Sequence, residues 1–145
     1  MSKKVFHRSA SSGQSLLEFA ISLTFMLILL SGAVDFGIGL FYYVAMRDAA
    51  QEGAVYGSLN PDDVDGIGVR VSEASGDGLI AGIYADEKLE VAVAYSGSHC
   101  EGNGITVTLT YDYPLSMPFI ATFIGRDYIK LRAAVTDTII TPVCS

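Results

Sequence analysis

Positive charge is scarce in this chain, and most of the length lacks it. Only nine of 145 residues are lysine or arginine against 16 acidic ones, leaving a formal net charge of −7. A phosphate-binding surface needs the opposite balance, so a nucleic-acid partner is excluded. Histidine is almost absent: His7 near the start and His99 far downstream are the two. No nucleophile–base–orienter set is suggested by spacing, and no enzyme is expected. His99, Cys100 and Glu101 are adjacent, and adjacent side chains rarely converge on one ion, so neither a metal nor another cofactor is expected. Nothing points to a small-molecule substrate. There are no internal repeats and no long low-complexity tracts. Charged residues make up only 17% and hydrophobic ones 50%; that much apolar material excludes intrinsic disorder.

What is present is unevenly placed. Residues 1–13 hold Lys3, Lys4 and Arg8 with no acid, whereas all 16 acidic side chains follow residue 13. From Phe19 to Val34 there is no charge at all, and beyond Asp35 the apolar run resumes to Met46. As a helix, residues 19–46 would be about 42 Å long, more than the ~30 Å of a bilayer core. The segment can therefore span a membrane and project beyond it. The basic flank stays cytoplasmic, which puts everything after the span outside. This divides the chain into a basic leader (1–13), a transmembrane helix (14–46) and an exported domain (47–145).

Helical signals continue from Gln14 to Ser58. The later part mixes Val44, Ala45, Ala49, Val55 and Tyr56 with Arg47, Asp48, Gln51 and Glu52, which reads as amphipathic. Asn60 as N-cap and Pro61 at the first position predict a short second helix over 61–75, burying Val64, Ile67, Val71 and Ala74. After Gly78 the period changes to two. Leu89–Tyr95, Ile105–Tyr113 and Ile129–Thr136 each alternate apolar and polar residues, predicting three antiparallel strands with one greasy face. Tyr111 and Tyr113 fall on that face, whereas Phe41, Tyr42 and Tyr43 fall near the outer membrane interface. The fold expected is α+β: a long N-terminal helix, a short second one, and a small three-stranded sheet packed on the first.

Cys100 and Cys144 both lie on the translocated side. Outside the cytoplasm such a pair is most simply a disulfide, the alternative being two buried free thiols. Asp62, Asp63, Asp65 and Gly66 invite a calcium-loop reading, which fails because Pro61 and Ser72 would occupy the first and twelfth positions. Within the span, Ala33 and Gly37 form one small-residue row and Ser31, Asp35 and Gly39 another; such rows let helices approach in lipid.

Glu18 breaks the membrane logic, since a carboxylate in lipid calls for a neutralising partner. A cut after Gly13 would give Gln14 an α-ammonium group one helical turn from Glu18, and such an amine on a neighbouring copy could pair with it. The stretch Gly13-Gln14-Ser15-Leu16-Leu17-Glu18-Phe19, followed by a long apolar helix, resembles the type IV prepilin processing motif. With Gly32-Ala33-Val34-Asp35-Phe36-Gly37 and Ala49-Ala50-Gln51-Glu52-Gly53-Ala54 it resembles the TadE-like pseudopilins of tight-adherence (Flp-type) pilus systems. Thr24 stands where many relatives carry proline, and Gln51 and Val55 where they often carry arginine. The resemblance implies a bacterial inner-membrane prepilin with leader cleavage between Gly13 and Gln14 and assembly residues Glu18 and Phe19. It further implies a prepilin peptidase, other pilin or pseudopilin subunits and an assembly platform as partners, besides membrane lipid. The competing expectation is a secreted or membrane-anchored β-rich binding domain with no pilus role, released near Val34 by a signal peptidase.

Overall fold

The structure, a computed structural model, describes residues 11–74, 78–115 and 125–141. Leader residues 1–10, with Lys3, Lys4, His7 and Arg8, lie outside the described residues, as do Ser75, Pro118 and Cys144. In order along the chain come α1 (Ser11–Leu59), α2 (Val64–Glu73), α3 (Leu79–Ala85), β1 (Leu89–Tyr95), β2 (Gly104–Pro114) and β3 (Tyr128–Thr138). The α+β architecture is the one the sequence implies. The strands form one antiparallel sheet in the order β1-β2-β3, with Val93 opposite Val107 and Leu109 opposite Ala133.

α1 has 49 residues, about 73 Å at ~1.5 Å per residue. It continues unbroken through Thr24, whose hydroxyl donates to the Ala20 carbonyl (2.8 Å). The sheet covers only its later half. Met46, Ala49, Ala50 and Ala54 are fully buried there, and Gly53 and Gly57 complete the stripe. Val44 and Val55, read from the sequence as part of the apolar face, are about half exposed. The reason is distance: a Cβ at Gly57 would lie 2.5 Å from Ile105 Cδ1, and one at Gly53 would lie 2.7 Å from Val71 Cγ2. Only the smallest side chains let α1 come this close to α2 and the sheet.

The second helix starts later than the sequence implies. Asn60 through Asp63 instead make a turn, closed by the Asp63 amide donating to the Asn60 carbonyl (3.2 Å); proline favours its second position. The cap is Asp63, whose carboxylate accepts from the Gly66 amide (2.9 Å) and the Tyr56 hydroxyl (2.7 Å). That shift turns Val64 outward, 52% exposed, while Ile67 and Val71 reach the core. The hydrogen bond from Tyr56, then that from Gly66, holds the Asp63 carboxyl below its ordinary value of 3.8. The same bond, with burial, pushes the Tyr56 phenol above 10.0. A depressed acid adds stability above its unfolded value and loses it as pH falls through the folded one; a raised phenol loses its share as pH rises through its folded value. We therefore expect the α1–α2 junction to loosen below about pH 4 and above about pH 10. Amide exchange at Gly66 checks this, and Asp63→Ala should abolish the acid limb.

α3 was not expected. Its seven residues, LIAGIYA, bury Ile80 and Ile83. It ends with Lys88 N–H on the Ile83 carbonyl and Glu87 N–H on that of Tyr84 (both 3.0 Å). Glu87 takes the left-handed conformation (φ 55°) usually given to glycine. β3 also departs from its expected inward face: Ala133 is buried, Leu131 and Val135 half-buried, but Ile129 is exposed. The strand runs past the helix contact there and fronts a groove. The α1 end is tied to the last strand, since the Ser58 carbonyl accepts from Ile140 N–H (2.8 Å) and the Leu59 carbonyl from the Thr141 hydroxyl (2.7 Å).

Candidate functional site

The site is the half of α1 that no other described residue covers. Every described residue from Gly13 to Ser31 is exposed, including Phe19, Phe25 and Leu30 at more than 60%. In water so large an apolar surface would be a liability, so its solvent is lipid or other helices. Among the described residues α1 is the one helix long and apolar enough to cross a membrane.

Gly13, Gln14, Glu18 and Phe19 stand on the first turns of this bare half. The Gly13–Gln14 bond lies close to the start of the described part of α1. Nothing lies within 4 Å of the place a Gly13 Cβ would occupy. Gln14 and Glu18 are four residues apart and share a face.

The other end of the bare half meets the base of the sheet. Here Tyr42 stacks on Tyr111 with ring centres 5.4 Å apart and lies 5.5 Å from Tyr113. The aromatic run thus divides: Tyr42 packs on the domain, while Phe41 and Tyr43 stay exposed. Tyr111 and Tyr113 are core residues. Burial first, and then the nearby Asp35 carboxylate, push the Tyr113 phenol above its ordinary value. Between α1 and the sheet base opens an apolar groove of about 380 Å³ lined by Asp35, Phe36, Leu40, Tyr113, Ile129 and Leu131 among others. Asp35 is only 7% exposed, and its Oδ2 is buried without a hydrogen-bond partner among the described residues. Of the two small-residue rows, Gly39 lies against the Tyr113 ring, whereas Gly37 has nothing within 4 Å. Periodicity does not reveal this groove: Asp35 reads as a charge interrupting an apolar run, and only the sheet makes it buried.

The remaining candidates are structural. His99 bonds Asp62 through Nδ1 (2.5 Å) and packs on the Tyr95 ring, fastening the β1–β2 loop to the α1–α2 turn. Cys100 is half-buried in that loop; Cys144 lies outside the described residues. Asp63 is occupied as a cap, and the described residues contain no group of three or more side chains able to hold a metal.

Residues 13–55 match the family model described as TadE-like protein. Over this stretch the chain is similar to TadE-like proteins. The match begins at Gly13 and ends within the buried part of α1, so it spans the whole bare half and leaves the sheet outside. TadE-like proteins are pilus components, and the match implies a protein associated with the tight-adherence pilus. No curated protein and no solved structure matches the chain.

Proposed function

We propose that the chain is a pseudopilin or minor pilin subunit that takes part in assembling a tight-adherence pilus after cleavage between Gly13 and Gln14. The observation that carries this reading is a TadE-like match opening at Gly13 on a helix whose next 18 residues are all exposed. Residues 14–34 rise about 31 Å, the thickness of a bilayer core. The embedded part then stops before Asp35, shorter than the 14–46 read from hydropathy, because Asp35, Gly39 and Tyr42 belong to the folded domain. The leader would lie in the cytoplasm, α1 in the bacterial inner membrane, and the sheet outside. Glu18 and Phe19 act in assembly, and the partners are a prepilin peptidase, pilin or pseudopilin subunits and the assembly platform.

Intact-mass or N-terminal peptide analysis of the chain from its native host tests this. A mature start at Gln14 is the expected result. A start near Val34 would mean signal-peptide secretion, and an intact Met1 or Ser2 a plain membrane anchor. In the same material a Cys100–Cys144 disulfide is expected, joining the β1–β2 loop to the C-terminus and stabilising the domain by roughly 4 kcal/mol. Non-reducing peptide mapping should return one linked pair, and two alkylatable thiols would refute it.

A further inference from the structure

Two halves of an interaction lie at opposite ends of the bare half of α1. At one end is the groove with Asp35, a carboxylate oxygen buried in apolar surroundings without a donor among the described residues. Such a group costs a few kcal/mol unless something pairs with it. At the other end is the Gly13–Gln14 bond; cut there, the helix would start at Gln14 with no acid before Glu18, and its free amides and dipole would attract an anion. Processing would add an α-ammonium group at Gln14. Between Gln14 and Met46 the chain has no lysine or arginine, so this amine is the one cation its apolar segment can carry. We propose that the N-terminal turn of one processed copy docks in the groove of a second copy, with the Gln14 amine on Asp35.

The occupant follows from complementarity within one sequence. The groove walls are apolar, as are Leu16, Leu17 and Phe19, which would enter behind the amine. Gln14 and Asp35 are 21 positions apart, so the copies are offset by about 31 Å along parallel helices. Copies side by side at one level cannot make this contact. Giving and receiving surfaces differ, so the contact is heterologous and repeats into an open-ended array rather than closing as a dimer. Asp35 differs from Glu18 in being enclosed by the fold at 7% exposure, whereas Glu18 is exposed. The inference rests on the processing reading but goes beyond it, because it names the receiving site and the stagger.

Cysteine crosslinking between two differently tagged full-length copies in the native host tests it. One carries Ser15→Cys and the other Phe36→Cys, with N-terminal peptide analysis on the same material. A mixed dimer is expected, absent from the wild-type chain with its Cys100 and Cys144 alone. Asp35→Asn in the receiving copy should lower its yield about tenfold. Circular dichroism should show that variant folded, since it removes a buried unpaired charge. Processed material that yields no Ser15–Phe36 crosslink, or only Ser15–Ser15 pairs from copies at one level, overturns the inference and leaves processing intact. A larger loss with Glu18→Gln than with Asp35→Asn also overturns it, by giving the amine to Glu18. An intact Met1 in the wild type overturns the processing reading and the inference together.

Discussion

Ile105→Ala is expected to destabilise the folded domain by about 3–4 kcal/mol, the range for emptying a fully buried aliphatic site. Ile105 has no exposed surface, and its Cδ1 reaches the bare backbone of α1 at Gly57. It therefore holds the sheet to the helix. Against the 5–15 kcal/mol of a typical domain the loss is large. Urea or thermal unfolding of the full chain in detergent micelles would measure it. The same contact predicts a compensation. Gly57→Ala alone should cost about 1–2 kcal/mol, overpacking outweighing the better helix propensity of alanine. Ile105→Val alone should cost about 1 kcal/mol. Together they should cost less than the sum, because the valine removes the methyl that the alanine would strike. Additive costs would show that the two residues do not touch.

The second large effect concerns Gly13, where folding and processing separate cleanly. Gly13→Leu is expected to change fold stability by no more than about 0.5 kcal/mol, since the position is exposed and the space around it is open. A strong effect on processing would then come from the proposed peptidase rather than from the fold. A close-fitting peptidase site has no room for a leucine before the cut, and misplacing the reacting bond by an ångström costs about a hundredfold in rate. Unprocessed chain should accumulate in the membrane with unchanged helicity, read by intact mass and circular dichroism on one sample. Normal processing of Gly13→Leu would remove Gly13 from the proposed cleavage site.

Some of this was legible in the sequence and some was not, for physical reasons. The strands stood out because alternation at period two has few rivals, and the pairing of the first two followed from their short connection. The long helix stood out because an uncharged run of that length has one stable form in lipid. Which side of it would meet the sheet was obscure. Hydrophobic periodicity favours Val44 and Val55, whereas the fold uses Ala49, Gly53 and Gly57, chosen for size rather than greasiness. The α2 cap was misplaced because Asn60-Pro61 and Asp63 each satisfy capping chemistry, and the turn between them decides. α3 left no signal: LIAGIYA lacks a polar face, and Glu87 terminates it where glycine would have marked a stop. Glu18 and Gly13 were readable as local motifs. The Asp35 groove was not, since its walls come from residues about 80 to 95 positions downstream.

The seam at Ser58 and Leu59 has a consequence for the order of events during folding. These carbonyls receive Ile140 and Thr141, the latter 82 residues later in the chain, and β2 is paired along its whole length by β3. A chain delivered from its N-terminus presents α1 first, and the helix must wait for the last strand before its small-residue stripe is sealed. Contacts so distant in sequence close slowly. Until they do, the outer edge of β2 is open to pairing with any extended chain nearby. A subunit caught at that stage has a finished anchor and an unfinished domain. Its survival then depends on how fast β3 arrives rather than on how stable the finished fold is.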